Sequence, residues 1–264
     1  MKLRSRSPWL IRHRPRAEAK VRLFCFPYAG GSAAVFREWS EQLDSSVEVW
    51  SIEYPGRGTR RSEKPFKQLS QLVDALLPEL RSELTVPFAF FGHSMGALVA
   101  LEILGRLAME QGPDAMCFFP SACRPPWCEA RHPPTFDLPE PEFINEVLAI
   151  GGTPKELLAD KSLIELFLPF LRSDFQAAQT YSHEMKVKLR CPILVYGGLD
   201  DPEVSREDLS RWQDVCETSS VRMFPGDHFY LHSAMESLMR VLSRDLSMRM
   251  VEIGEFREKP ARQI

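Results

Sequence analysis

Long apolar runs are missing from this chain: nowhere do its 264 residues approach the ~18 consecutive apolar positions that a membrane helix requires. A helical membrane protein is therefore excluded. None of the six cysteines (Cys25, Cys117, Cys123, Cys128, Cys191, Cys216) pairs with another as C-x-x-C, so zinc-ribbon and dithiol redox chemistry lack their usual ligand spacing. The thiols read as reduced and mostly buried. Charge of one sign is not in excess either: 33 Lys+Arg stand against 36 Asp+Glu, a net −3, which gives no global footprint for nucleic acid or an anionic membrane. An acidic partner must find a local patch. There is no internal repeat. The basic residues Lys2, Arg4, Arg6, Arg12, Arg14 and Arg16 surround only Trp9-Leu10-Ile11, too short an apolar cluster for a signal-peptide core. The expectation is a cytoplasmic protein, with an organellar transit peptide as the alternative. What is present is 44% hydrophobic and 26% charged residues, the balance of a globular protein with a real core. The length suits one large α/β domain better than two small ones.

Short runs rich in Val, Ile and Phe recur at Val21–Phe26, Val47–Tyr54, Phe88–Phe91, Met116–Phe119, Ile193–Tyr196 and Val221–Phe224. Bounded by Gly, Pro, Asp or Ser, they read as strands buried on both faces. Helical spacing fills most of the gaps, from Val35 to Leu43, Leu69 to Leu84, Ala97 to Met109, Leu209 to Val215 and Leu231 to Leu246. This alternation predicts a mostly parallel central sheet flanked by helices. About seventy residues separate the fourth strand from the fifth, far more than one crossover needs. The surplus opens with prolines (Pro125, Pro126, Pro133, Pro134, Pro139, Pro141) and continues with helical patterns at Phe143–Ile150 and Leu163–Phe175. It reads as a helical lid over residues 126–186, inserted into a core formed by 1–125 and 187–247. The tail, 248–264, is charged and weakly patterned.

The most informative segment is Phe90-Phe91-Gly92-His93-Ser94-Met95-Gly96, which reads strand, G-x-S-x-G, helix. A nucleophile elbow needs that context, with small residues flanking a strained turn. A serine hydroxyl is a weak nucleophile, so it needs a base, and the base needs a third group to hold its tautomer. Of the six histidines (His13, His93, His132, His183, His228, His232), only His228 follows a late strand through a Gly-containing loop. Asp200 and Asp201 contend for the acid at the end of the preceding strand. Neighbouring side chains point in different directions, so the two are not equivalent; Asp201 is the choice and Asp200 the next. An oxyanion donor is expected from the amide of Met95, at the amino end of a helix. A second is expected from the loop Phe26-Pro27-Tyr28-Ala29-Gly30-Gly31-Ser32, which lacks the G-x-x-x-x-G-K-[ST] pattern of a nucleotide site.

These motifs, together with Tyr54-Pro55-Gly56-Arg57-Gly58, the Gly151-Gly152-Thr153-Pro154 turn and Phe224-Pro225-Gly226-Asp227-His228-Phe229, resemble the type II thioesterases that accompany polyketide and nonribosomal peptide synthases. The match covers roughly residues 8 to 246. The resemblance implies an α/β-hydrolase fold with a helical lid, and Ser94 as nucleophile, His228 as base and Asp201 as acid. It implies the amides of Ala29 and Met95 as the oxyanion hole. It also implies an acyl thioester on the phosphopantetheine arm of an acyl or peptidyl carrier domain as substrate, a monomer, and no cofactor, since the substrate carries the arm. Tyr28 stands where many members have histidine, and Asp227 where many have glycine. Asp227 is expected to act on the basicity of the neighbouring His228.

Arg57, Arg60 and Arg61 form the best basic cluster for an acidic carrier, with a solvated charge run as the alternative. Phe143, Leu148, Phe167, Phe170 and Leu171 are candidates for an acyl channel, some of them reserved for the lid's own core. The rival readings are an esterase or lipase acting on soluble oxygen esters and a catalytically silent scaffold.

Overall fold

The computed structural model describes residues 7–151, 161–182 and 188–258. Six of the strands in it are the apolar runs above: β2 (Val21–Phe26), β3 (Val47–Ile52), β4 (Phe88–His93), β5 (Cys117–Ser121), β6 (Ile193–Gly198) and β7 (Ser219–Phe224). A seventh, β1 (Leu10–Ile11), comes from the small apolar cluster of the N-terminal arm, to which the sequence assigned no element. The helices are α1 (Trp39–Gln42), α2 (Leu69–Arg81), α3 (Met95–Met109), α4 (Glu140–Ile150), α5 (Lys161–Gln179), α6 (Arg206–Ser210), α7 (Tyr230–Ser233) and α8 (Met235–Glu258).

The strands form one sheet in the order β1-β3-β2-β4-β5-β6-β7. Only β1 runs antiparallel, pairing Leu10 with Ile52. β3, β4, β5 and β6 are buried along their whole length, whereas the edge strand β7 is half-buried. Alternation sorts their side chains. Phe24, Phe26, Phe88 and Phe90 share one core with Leu72, Val73, Leu76 and Leu80 of α2 and Val99 and Ile103 of α3. Leu23, Cys25, Ala89 and Phe91 face the other way, onto Phe36, Trp39 and the Leu238, Leu242 and Leu246 stripe of α8. Each such buried side chain contributes roughly 1.5–3 kcal/mol. Because the main strands are parallel, their carboxyl ends lie at one sheet edge, where ligands of open α/β sheets collect.

Several boundaries differ from expectation. The helix expected over 35–43 is a 3₁₀ turn (Ala33–Phe36) followed by the short α1. The one at 209–215 is α6, opened by a Ser205/Asp208 capping box, continuing into a 3₁₀ turn. The expected tail boundary at 248 falls inside α8, which continues to Glu258. In the lid, α4 and α5 share a small core of Phe143, Val147 and Leu171, with the Phe143 and Phe175 rings 5.2 Å apart. Residues 152–154 of the glycine turn, and His183, lie outside the described residues. Among the described residues no helix is long and apolar enough to cross a membrane.

Candidate active site

Ser94 closes β4 and opens α3 with φ 51° and ψ −119°, a conformation that costs a non-glycine residue about 1–3 kcal/mol. The fold imposes it. The Ser94 N–H donates to the Ser121 carbonyl on β5 (2.8 Å), and the Ser94 carbonyl accepts from Ala97 (2.9 Å). The two glycines of the motif are required by close approach: a Cβ on Gly92 would lie 2.4 Å from the Gly96 carbonyl, and one on Gly96 2.1 Å from the Phe26 carbonyl.

His228, on the loop after β7, pairs through Nδ1 with Asp201 Oδ2 at 2.9 Å. The Asp201 side chain is fully shielded from solvent, and its Oδ1 accepts the N–H groups of Glu203 (2.9 Å) and Val204 (3.1 Å). Both carboxylate oxygens are therefore engaged, Oδ1 by backbone N–H groups and Oδ2 by the imidazole. Asp200 is exposed, so of the two contending carboxylates it is Asp201 that meets the imidazole. With Nδ1 committed to Asp201, Nε2 is the nitrogen left for chemistry.

Ser94, Met95, Ala29 and His228 line one cavity of about 840 Å³. Part of its wall comes from the segment expected to form a lid: Val147 of α4, and Phe167, Leu171 and Phe175 of α5. Of the five side chains expected to form an acyl channel, Phe167 and Leu171 do line it. Phe143 is instead the centre of the lid's own core, Leu148 is exposed, and Phe170 packs on the Arg57 guanidinium.

The other histidines are placed elsewhere. His93 lies edge-on to His228, ring centroids 5.4 Å apart, fully buried, with Nδ1 2.8 Å from Ser121 Oγ, which in turn contacts the Tyr230 hydroxyl. Burial, and secondarily the nearby His228 and His232, push its pKa well below the ordinary histidine value. It is a neutral polar platform against the His228 ring. His13 bonds the Ala33 carbonyl, and His132 is exposed at the cavity wall. His232 Nε2 lies 3.0 Å from the Tyr28 hydroxyl. Burial lowers the His232 pKa, partly offset by Asp227, and burial pushes Tyr28 up to about 12. Asp227 turns its carboxylate to the Phe229 N–H (2.8 Å). Its charge is felt at His232.

The basic cluster is a correction. Arg57 and Arg60 are buried, and only Arg61 is exposed. Arg60 pairs with Glu63 at 2.6 Å and covers the Trp9 ring. Arg57 forms a two-point ion pair with Asp174 of α5. Neither arginine offers a docking charge. Sequence reading missed Asp174, whose signal was a carboxylate on the buried stripe Phe170, Leu171, Asp174, Ala177 of an otherwise apolar helix face.

The sheet order, the strand–turn–helix at Ser94 and the Asp–His pair on the ends of the last two strands define the α/β-hydrolase class. The thioesterase-domain family model matches residues 21–246, and the chain belongs to that family. It is a type II thioesterase of the kind associated with polyketide and nonribosomal peptide synthases. It is 34% identical over 241 residues to the gramicidin S biosynthesis protein GrsT of Aneurinibacillus migulanus, covering 91% of this chain and 94% of that protein. It is 35% identical to the thioesterase PikA5 of Streptomyces venezuelae, over 90% of this chain and 85% of that one. The type II thioesterase BorB of the borrelidin cluster superposes with a TM-score of 0.79 at 30% identity, over 89% of this chain and 95% of the other.

Proposed function

We propose that this thioesterase hydrolyses acyl chains from the phosphopantetheine arm of carrier domains, with Ser94 as nucleophile, His228 as base, Asp201 as orienting acid, and the Ala29 and Met95 amides as oxyanion donors. The observation that carries the reading is the His228–Asp201 pair at 2.9 Å on the rim of the cavity into which the strained Ser94 opens. Ser94 Oγ adds to the thioester carbonyl while its proton passes to His228 Nε2. Asp201 stabilises the imidazolium without taking its proton. The amides meet the negative oxygen in a site where fixed dipoles replace water. Collapse expels the pantetheine thiolate, which takes the proton from His228. A water deprotonated by His228 then attacks the acyl-serine, releasing a free acid and restoring the serine hydroxyl.

The apolar lid wall suits an acyl chain lying against α5. The chain acts without a cofactor of its own, as a cytoplasmic monomer. The test is paired: acyl-carrier and acyl-pantetheine thioesters against matched oxygen esters, with wild type and Ser94→Ala, and fluorophosphonate labelling of both. Thioester turnover and a single adduct at Ser94 in wild type are expected. Preference for the oxygen ester would make the chain an esterase, and an unlabelled wild type would make it a silent scaffold.

A further inference from the structure

The turn that carries Ala29 is held by a side chain from the lid. Gly31 N–H donates to the Tyr28 carbonyl at 2.9 Å, and Gly30 has φ +81°, so Tyr28–Gly31 is a type II turn with Ala29 and Gly30 at its corners. Such a turn differs from its type I counterpart by a flip of the central peptide, here Ala29–Gly30. The Gly30 N–H donates to Asp174 Oδ2 at 2.8 Å. A flipped peptide would turn the Ala29 carbonyl toward the same carboxylate, lone pairs against lone pairs, so Asp174 admits one orientation of this peptide and thereby holds the corner at Ala29, whose own N–H belongs to the preceding Tyr28–Ala29 peptide. The helix also covers the turn sterically: a Cβ at Gly30 would lie 2.7 Å from Leu171 Cδ1 and 3.2 Å from Phe167 Cζ.

Asp174 is itself fixed. Arg57 grips both its oxygens. The remaining donors of Arg57 reach the Pro55 carbonyl (3.2 and 3.1 Å) and the Gly31 carbonyl (3.4 Å). Both charged side chains are almost wholly buried, and the guanidinium is sandwiched by the Tyr54 and Phe170 rings. The pair thus clamps the second corner of the turn, Gly30, through Asp174 and its last residue, Gly31, through Arg57.

We infer that Asp174, oriented by Arg57, is a positioning residue that aligns the oxyanion turn, making transition-state stabilisation depend on a seated lid helix. This rests on Ala29 being an oxyanion donor. The acyl chain and the turn then sense the same element, because Phe167 and Leu171 line the cavity about two and one helical turns ahead of Asp174.

Removing Asp174 alone strands a buried guanidinium, so the test uses two charge-free double variants. Arg57→Met/Asp174→Asn keeps an acceptor for the Gly30 N–H; Arg57→Met/Asp174→Leu removes it at similar size. On an acyl-pantetheine thioester, the Leu variant should lose about 10- to 100-fold in kcat with KM little changed, as expected of a misaimed donor. The Asn variant should recover most of that loss. Affinity for an alkyl trifluoromethyl ketone, whose carbonyl takes up Ser94 Oγ to leave an oxyanion, should fall in the Leu variant. Affinity for the matching alkyl-pantetheine thioether should not. Equal kcat in the two double variants, or an unchanged ketone-to-thioether ratio in the Leu variant, overturns the positioning role alone. No preference for the ketone in wild type overturns the oxyanion assignment beneath it as well.

Discussion

The proposed acid–base half of the site and its proposed oxyanion half are anchored differently. Asp201 and His228 sit on loops leaving neighbouring strands β6 and β7, and their contacts are with each other and with backbone next to them. The Tyr28–Gly31 turn also leaves a strand, yet its Gly30 N–H is bonded by Asp174 of α5, 144 positions further along the chain. A further tie, Tyr28 to His232, spans 204 residues. One half belongs to the rigid sheet and the other borrows from the lid, so damage to the two should be distinguishable.

The sharpest break is on the sheet side. Ser94→Ala should lower kcat for thioester hydrolysis by about 10⁶ where triad behaviour transfers, and near-full residual turnover would end the nucleophile assignment. Next, Asp201→Asn should cost about 10⁴ in kcat by loss of the correct tautomer. Asp200→Asn should change it by less than about threefold, because the exposed carboxylate has only solvent screening to lose. A larger loss in the second variant would exchange their roles. On the lid side, Asp174→Ala should cost stability as well as rate. A buried guanidinium left without its partner destabilises by roughly 3–5 kcal/mol, readable as a lower urea midpoint, whereas the Arg57→Met/Asp174→Leu pair should unfold close to wild type.

A fourth prediction concerns pH. Burial first, and the neighbouring imidazoles second, hold His93 neutral, so the unfolded chain binds the extra proton. Stability is then full above the unfolded value of 6.5 and is lost as pH falls below it, with a slope approaching about 1.4 kcal/mol per pH unit from this group. Urea unfolding of wild type against His93→Gln between those conditions should show a shallower slope in the variant. The smallest effect is expected from Tyr28→Phe. It removes one hydrogen bond to His232, about 0.5–1.5 kcal/mol, and should leave kcat within about fivefold; a loss as large as that of the Arg57→Met/Asp174→Leu variant would show that the turn is governed from the His232 side.

The triad candidates were readable because each stands in a local pattern: a Gly-flanked serine between strand and helix, and Asp and His directly after strands. Arg57 was misread for the opposite reason. In sequence it belongs to a basic run with Arg60 and Arg61, and nothing local reveals that Asp174, itself hidden in an apolar helix face, waits to bury it. The acyl-channel residues divide in the same way, since helical periodicity marks Phe143, Phe167 and Leu171 as apolar-face positions without saying which of two apolar surroundings each one meets.

The order of chemical groups along the chain, the alternation of strand and helix and the strained serine turn were determined by sequence, since each depends on residues within a few positions of one another. Tertiary structure alone decided which aspartate reaches the imidazole, which arginines leave solvent and which distant carboxylate accepts the Gly30 N–H. Those outcomes depend on the direction of side chains brought together across 27 to 144 positions, and direction is fixed only when the elements pack.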